Sequence, residues 1–326
     1  MTKRILSGMR PTGKLHLGHL VGALENWKKL QDEYECFFML ADWHALMSEY
    51  ENPKDLKENM IDNAVDWFAC GIDPKKATIF IQSQIKEHLE LHMVFSVITP
   101  LGLLERCPTY KEQLREITNR DLSTYGFLGY PVLQAADIAL YKAELVPVGE
   151  DQLPHLELTR QIIRKFSHIY KEDIFPEPQA LLTKEKRLLG LDGRKMSKSY
   201  NNFIALSDEA GVIRKKVQSM FTDPQRIRVS DRGHPEKCNV YAYYSIFAPE
   251  QKKEIDEACR ACRIGCTECK KRLGEILVKF LEPIGEKRRE LLKSKKDIKE
   301  ILEEGCRKAQ AAAQSTILEV KKTIGI

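Results

Sequence analysis

Six consecutive apolar residues, Cys36-Phe37-Phe38-Met39-Leu40-Ala41, stand between Glu35 and Asp42. A strand made of such a run has no face to give to water. It belongs in a parallel sheet covered by helices on both sides. The neighbouring segments agree. Arg4–Ser7, Ala77-Thr78-Ile79-Phe80-Ile81 and Leu145-Val146-Pro147-Val148 are three more short apolar or β-branched stretches. Between them apolar residues recur at helical spacing. Leu20, Leu24, Trp27 and Leu30 do so within Leu17–Glu33, and Leu56, Met60, Ala64, Trp67 and Phe68 do so between Asn52-Pro53 and Gly71. A further long helix is expected from Gln152 to about Tyr170. Strand alternating with helix predicts an α/β domain with a doubly wound parallel sheet. Ligands of such sheets bind beyond the carboxyl ends of the strands. Gly8–His19, Asp42-Trp43-His44 and Gly149-Glu150-Asp151-Gln152 fall there.

The pattern changes after about residue 200. Ser207-Asp208-Glu209 caps a helix continuing through Val212, Ile213, Val217 and Met220, and Pro249 starts another. Leu273–Leu292 and Ile298–Leu318 are amphipathic and rich in Lys and Glu. We expect a catalytic unit over residues 1–192, an all-helical second domain over 193–300, and a C-terminal helix over 301–326 that folds back on the first unit. A chain of 326 residues suffices for two domains. With 43% hydrophobic and 30% charged residues its composition is ordinary for a soluble protein, and a net charge of +5 permits a polyanionic partner without arguing for one. No apolar run is long enough to span a bilayer, and Met1–Gly8 lacks the apolar core of a signal peptide. A cytoplasmic protein with no membrane partner is expected.

Two motifs point to a nucleotide. Arg10-Pro11-Thr12-Gly13-Lys14-Leu15-His16-Leu17-Gly18-His19 runs from the first strand into a helix N-terminus. Unpaired amides and the helix dipole favour an anion there, the imidazoles add donors, and Gly18 lets a flat base approach. Far downstream, Lys195-Met196-Ser197-Lys198-Ser199 follows Gly190 and Gly193 and brings two ammonium groups. They would neutralise charge developing on phosphates as a bond to the α-phosphorus forms.

The pair resembles the HIGH and KMSKS signatures of class I aminoacyl-tRNA synthetases. Val146-Pro147-Val148-Gly149-Glu150-Asp151-Gln152, with His155 and Glu157-Leu158-Thr159-Arg160, narrows the resemblance to the bacterial tryptophanyl branch, along essentially the whole chain. That resemblance implies a Rossmann-like ATP- and tryptophan-binding domain, a helical anticodon-binding domain and a homodimer. It implies a tryptophan–tRNA ligase that makes tryptophanyl-adenylate and pyrophosphate from L-tryptophan and ATP with Mg²⁺, then charges tRNA(Trp). No covalent enzyme intermediate is needed, so catalysis is positioning and charge stabilisation.

Residue by residue, the resemblance assigns ATP to Arg10, Pro11, Thr12, Gly18, His19, Gly149, Glu150, Asp151, Leu188, Lys195, Met196, Ser197, Lys198 and Ser199, with Lys111, Lys195, Lys198 and His19 as the catalytic set. Arg10 stands where many relatives carry glutamine, and His19 where some carry asparagine. Tryptophan falls to Leu6, Tyr130, Val146 and Val148 as walls, His44 and Gln152 towards the head group, and Asp137 as acceptor. Indole offers one N–H donor and no acceptor, so a buried carboxylate selects it. Asp137 lies within Leu133-Gln134-Ala135-Ala136-Asp137-Ile138-Ala139-Leu140, where a charge needs a partner, and Gln134 replaces a common methionine.

Of nine cysteines, four crowd into Cys259, Cys262, Cys266 and Cys269, with Cys238 upstream. In a reducing compartment such a cluster reads as a metal or iron–sulfur site. Cys238, Cys259, Cys266 and Cys269 are similar to the 4Fe-4S motif of some tryptophanyl enzymes, although two residues fewer separate the first pair. Cys262 leaves room for Zn²⁺ through two Cys-x2-Cys pairs. Arg260, Arg263, Lys270 and Lys271 around them could meet a tRNA backbone. Three rival readings are a tyrosyl-tRNA synthetase, a His-x-Gly-His nucleotidyltransferase of small molecules, and a redox-sensing tRNA-binding paralogue.

Overall fold

The computed structural model describes residues 2–116, 121–182, 188–196 and 200–326. Five strands, β1 (Arg4–Met9), β2 (Glu35–Leu40), β3 (Ala77–Ile81), β4 (Leu145–Val148) and β5 (Gln179–Leu182), form one sheet in the order β3-β2-β1-β4-β5. All neighbours are parallel. The fold is thus Rossmann-like. β5 was not anticipated, because its segment Gln179-Ala180-Leu181-Leu182 is half exposed at the sheet edge and lacks a long apolar run.

Successive residues of each strand feed opposite faces, as the pleat requires. Ile5, Phe38 and Ile79 join one apolar cluster, and Leu6, Phe37, Met39 and Phe80 join the other. The first face carries a helical segment after β1 and the helix after β2. That segment begins as α1 (Leu17–His19), widens into a π turn over Leu20–Leu24 and ends as α2 (Glu25–Leu30). After β2 come α3 (Asp42–Glu49) and α4 (Leu56–Ala69). Trp27 stacks on Phe38 at 4.4 Å and meets Trp67 edge-on at 5.0 Å. Each such pair is worth roughly 0.5–1.5 kcal/mol beyond area burial.

Next come α5 (Glu87–Ile98), α6 (Leu101–Glu105), α7 (Pro108–Glu116), α8 (Tyr125–Leu128), α9 (Tyr130–Leu140) and α10 (Leu153–Tyr170). Of these, α5, α6, α9 and α10 cover the second face, whereas α7 and α8 pack around a smaller cluster of Leu122, Phe127 and Tyr130. Beyond β5 the described residues are helical: α11 (Ala210–Gln218), α12 (Asn239–Phe247), α13 (Lys252–Arg260), α14 (Cys266–Lys293) and α15 (Lys295–Ile324). α14 packs on α11, α12 and α4, extending the first cluster through Leu273, Leu277 and Leu281. α15 returns to the sheet. Ala309, Ala313 and Ile317 join the second cluster, and a Cβ at Gly305 would lie 1.8 Å from the Ile79 carbonyl oxygen. Only glycine allows that backbone approach.

β1 lies between β2 and β4: the chain runs outward through β2 to β3 and then crosses back to β4 on the other side of β1. That is the switch point where the carboxyl ends of the strands open a crevice.

Candidate active site

A cavity of about 380 Å³ occupies this crevice. Leu6, Ser7, Gly8 and Arg10 come from β1 and its exit, Ala41 and His44 follow β2, and Val146, Pro147, Val148, Gly149 and Gln152 come from β4 and its exit. Tyr130, Gln134, Asp137 and Ile138 close it from α9, and Gly22, Ala23, Asn26 and Trp27 from the helix after β1. The π turn carries Gly22 and Ala23 to the wall, a wide helical turn of a kind often found at functional sites.

The histidine motif and the start of the downstream lysine motif pack against each other, outside the cavity lining. His19 Nδ1 accepts from the His16 amide at 3.2 Å, and the two rings lie 3.8 Å apart. Met196 is buried, and its sulfur would sit 3.2 Å from a Cβ placed on Gly18. A side chain at Gly18 would therefore push against both His16 and Met196. Asn202 Nδ2 donates to the Lys195 carbonyl at 3.1 Å and to Asp192 at 2.7 Å, fixing the turn that leads into the lysine. Ser197, Lys198 and Ser199 lie outside the described residues. Pro11 is buried and Thr12 half-buried beside Arg10, whose guanidinium reaches Ser48 Oγ at 3.3 Å. Glu150 and Asp151 are exposed next to Gly149. Leu188 is packed in the first apolar cluster and Lys111 is exposed on α7; neither lines the cavity, though Gln113 of α7 does.

Asp137 is 2% exposed and heavily bonded. His44 Nε2 donates to Oδ2 at 2.7 Å, His88 Nδ1 donates to Oδ1 at 2.6 Å, and Gln82 Nε2 reaches both oxygens at 2.9 and 3.0 Å. Burial pushes this carboxyl up, but the charge and hydrogen bonds of His88 and His44 outweigh it and hold Asp137 well below the usual carboxylate range. Tyr141 completes the chain at 2.9 Å from His88 Nε2. A second buried chain flanks it: the Tyr130 hydroxyl lies 3.0 Å from His155 Nε2, and the Cys107 thiol 3.6 Å from Nδ1. Burial lowers His155 to about 4, so its ring is neutral near pH 7.

A crevice at the carboxyl ends of the strands, a buried carboxylate in its wall and a histidine motif packed against Met196 invite comparison with known proteins. Residues 2–282 match the family of class I tRNA synthetases for W and Y. A tryptophan–tRNA ligase of Thermotoga maritima is 51% identical, covering 99% of each chain. One from Aquifex aeolicus is 46% identical, covering 99% of this chain and all of that one. The chain belongs to the class I tRNA synthetases. Among solved structures, the tryptophanyl-tRNA synthetase of Campylobacter jejuni with ADP and tryptophan superimposes with a TM-score of 0.89 at 34% identity, over 99% of this chain and 100% of that one.

For this synthetase, sequence reasoning missed Gln82, His88 and Tyr141. Gln82 sits just past the carboxyl end of β3, where the sheet rule puts functional groups, so its position was a usable signal. His88 and Tyr141 gave none, since a histidine and a tyrosine among apolar residues read as core. His44, expected near the amino-acid head group, is bonded to Asp137 instead.

Ion pairs tie the helical half of the synthetase to α4. Arg288 of α14 donates to Asp62 and, at 2.8 Å, to Asp66 of α4. Asp66 is 1% exposed, and burial pushes it up to about 6 against Arg288, which lowers it.

The thiols Cys238, Cys259, Cys266 and Cys269 gather between α12, α13 and α14, close enough to influence each other's ionisation. Burial, followed by the neighbouring thiols, pushes Cys269 up to about 12. Groups that favour thiolates surround them. Arg226 Nη1 lies 3.5 Å from the Cys259 sulfur, and the Tyr241 and Val240 amides face Cys238. This donor chemistry fits an iron–sulfur or zinc group. Among the described residues, however, no three His, Cys, Asp or Glu side chains are arranged to hold a metal ion. Cys262, at φ 59°, turns away and donates to the Ser230 carbonyl at 3.1 Å.

Proposed function

We infer that the chain is a tryptophan–tRNA ligase, which activates L-tryptophan with ATP and transfers it to tRNA(Trp). Whole-length similarity to curated tryptophan–tRNA ligases carries this reading. In it, the tryptophan carboxylate attacks the α-phosphorus of ATP and pyrophosphate leaves. Asp137 accepts the indole N–H, Leu6, Tyr130, Val146 and Val148 wall the ring, and Gln152 faces the head group. Arg10, Pro11, Thr12, Gly18 and His19 take one side of ATP, and Gly149, Glu150 and Asp151 the ribose. Leu188 lies towards the adenine, and Lys111, Lys195 and Lys198 hold the phosphates with Mg²⁺. All six residues given to tryptophan, Leu6, Tyr130, Asp137, Val146, Val148 and Gln152, line one crevice, joined there by Arg10 and Gly149 from the ATP set, which supports the assignment. Purified protein should catalyse ATP–pyrophosphate exchange with tryptophan and not tyrosine. The reverse preference overturns the reading.

We assign ATP and tryptophan binding to residues 1–192, the Lys195–Ser199 loop and anticodon binding to 193–300, and a bracing role to 301–326. Arg263, Lys271, Arg228 and Arg232 are exposed near the thiols and suit a tRNA backbone, whereas Arg260 is paired with Asp256 and Glu236. Cys238, Cys259, Cys266 and Cys269 are the proposed ligands of a 4Fe-4S cluster, which when bound would fix these loops and helix ends as one body. Anaerobically purified protein should be brown. A colourless protein with stoichiometric zinc would assign Zn²⁺ instead. A homodimer is proposed through the α5–α6 stripe Leu89, Met93, Val97 and Leu101, of which Val97 is 73% and Met93 62% exposed. Val97→Asp should then halve the mass in solution.

A further inference from the structure

Asp137 is already bonded on both oxygens. His88 donates to Oδ1, His44 to Oδ2, and the Gln82 amide is shared between the two. Of these three donors only His44 lines the cavity beside Asp137. An indole N–H that reaches the carboxylate from the cavity therefore competes with His44.

The three donors are not equally able to leave. Gln82 and His88 are fully buried, and neither lines the cavity, so they hold Asp137 from behind. Gln82 is committed to the carboxylate: its own Oε1 is buried with no partner among the described residues, and turning the amide over would set that oxygen against Asp137. His88 is anchored on its far side by Tyr141 and lies near-parallel to Phe80 with ring centroids 6.0 Å apart. His44 differs. Its side chain is 13% exposed and forms part of the cavity wall beside Asp137.

We propose that His44 is a displaceable placeholder, occupying on Asp137 the site that the indole N–H takes when tryptophan binds. This rests on the reading of Asp137 as the indole acceptor. In the empty pocket His44 keeps a buried carboxylate satisfied, which would otherwise carry a large desolvation penalty. Tryptophan exchanges one N–H donor for another. A ring of the same shape without an N–H, such as the benzothienyl analogue in which sulfur replaces nitrogen, leaves His44 in place. The consequence is a specificity effect: His44 softens the pocket's preference for an N–H, because an analogue that cannot donate does not strand Asp137.

The full chain carrying ¹⁵N-histidine should show downfield imidazole N–H resonances from His44 and His88 on Asp137 and from His234 on Asp223, with His44→Ala assigning the first. Saturating tryptophan should remove the His44 signal and keep that of His88, while benzothienylalanine should keep both. A His44 signal that persists in the tryptophan complex overturns the proposal. Kinetics give a second readout. In ATP–pyrophosphate exchange His44→Ala should raise the kcat/KM preference for tryptophan over the analogue about tenfold, the scale of one hydrogen bond to a charged group. A merely structural role would lower both substrates alike, and an unchanged or smaller preference counts against the placeholder. Asp137→Asn separates the two ideas. If the preference survives that change, Asp137 is not the indole acceptor and the underlying reading fails; if it collapses, only the His44 results decide.

Discussion

The inner end of the crevice and the thiol group of the helical half solve the same problem differently. Each gathers several polar groups from distant parts of the chain. At Asp137 of α9 the partners come from three other elements, namely α3, the turn after β3 and α5, and both oxygens of the carboxylate are met by protein donors. Among Cys238, Cys259, Cys266 and Cys269 the groups are all of one kind and sit on loops and helix ends, and burial with the neighbouring thiols raises the pKa of Cys238, Cys259 and Cys269. A site completed by its own protein is preorganised for a neutral ligand. Among the described residues the thiols have no such set of partners, and under the proposed cluster assignment a bound metal group would supply it.

The largest effect that would break this contrast is at Asp137. Asp137→Asn should lower tryptophan kcat/KM by on the order of 10²–10³-fold, because a site built to hydrogen-bond its substrate loses far more than a methylene contact does. An effect under tenfold would mean that Asp137 is structural. Cys266→Ser should abolish the visible absorbance of the anaerobic protein and lower its Tm, yet leave tryptophan-dependent pyrophosphate exchange within about threefold, since the crevice is complete without the thiols. Loss of exchange would erase the distinction between the two regions.

The pair joining the regions tests whether they are independent. Arg288→Met should cost about 3 kcal/mol in urea unfolding, the usual penalty for stranding a buried charge. It should also raise the pH at which Asp66 ionises above about 6, since Arg288 lowers that pKa. The sign of the pH dependence follows. Asp66 has a folded pKa above its unfolded value of 3.8, so its contribution is full below about pH 4 and is lost as pH rises through about 6. Asp66→Asn should flatten the stability profile across that window, as read by unfolding at a series of pH values. Asp137 has the opposite sign: its stabilisation is present above the unfolded carboxylate pKa and fades only in stronger acid. The smallest effect is at His155, whose ring should show no NMR titration between pH 6 and 8, because burial has lowered it to about 4.

Much of this was legible beforehand. The run Cys36–Ala41 and its neighbours predicted four of five strands and their parallel order, because buried strands must be apolar throughout. Gly149, Gln152, Tyr130 and Asp137 were named from motif positions, and all four line the cavity. The helix expected at Leu17–Glu33 instead contains a π turn, which no periodicity over so few residues distinguishes from an α-helix.

The amino-acid sequence by itself determined the sheet, the helical second half, the two nucleotide motifs and the presence of a buried carboxylate, since each depends on local pattern and spacing. Only the tertiary structure decided what surrounds that carboxylate. His44, Gln82 and His88 are separated from Asp137 by 93, 55 and 49 residues, and nothing in their local sequence marks them as partners. They meet because parallel strands deliver their carboxyl ends to one crevice and α9 closes it. A buried charge must then take whatever donors the packing brings within reach.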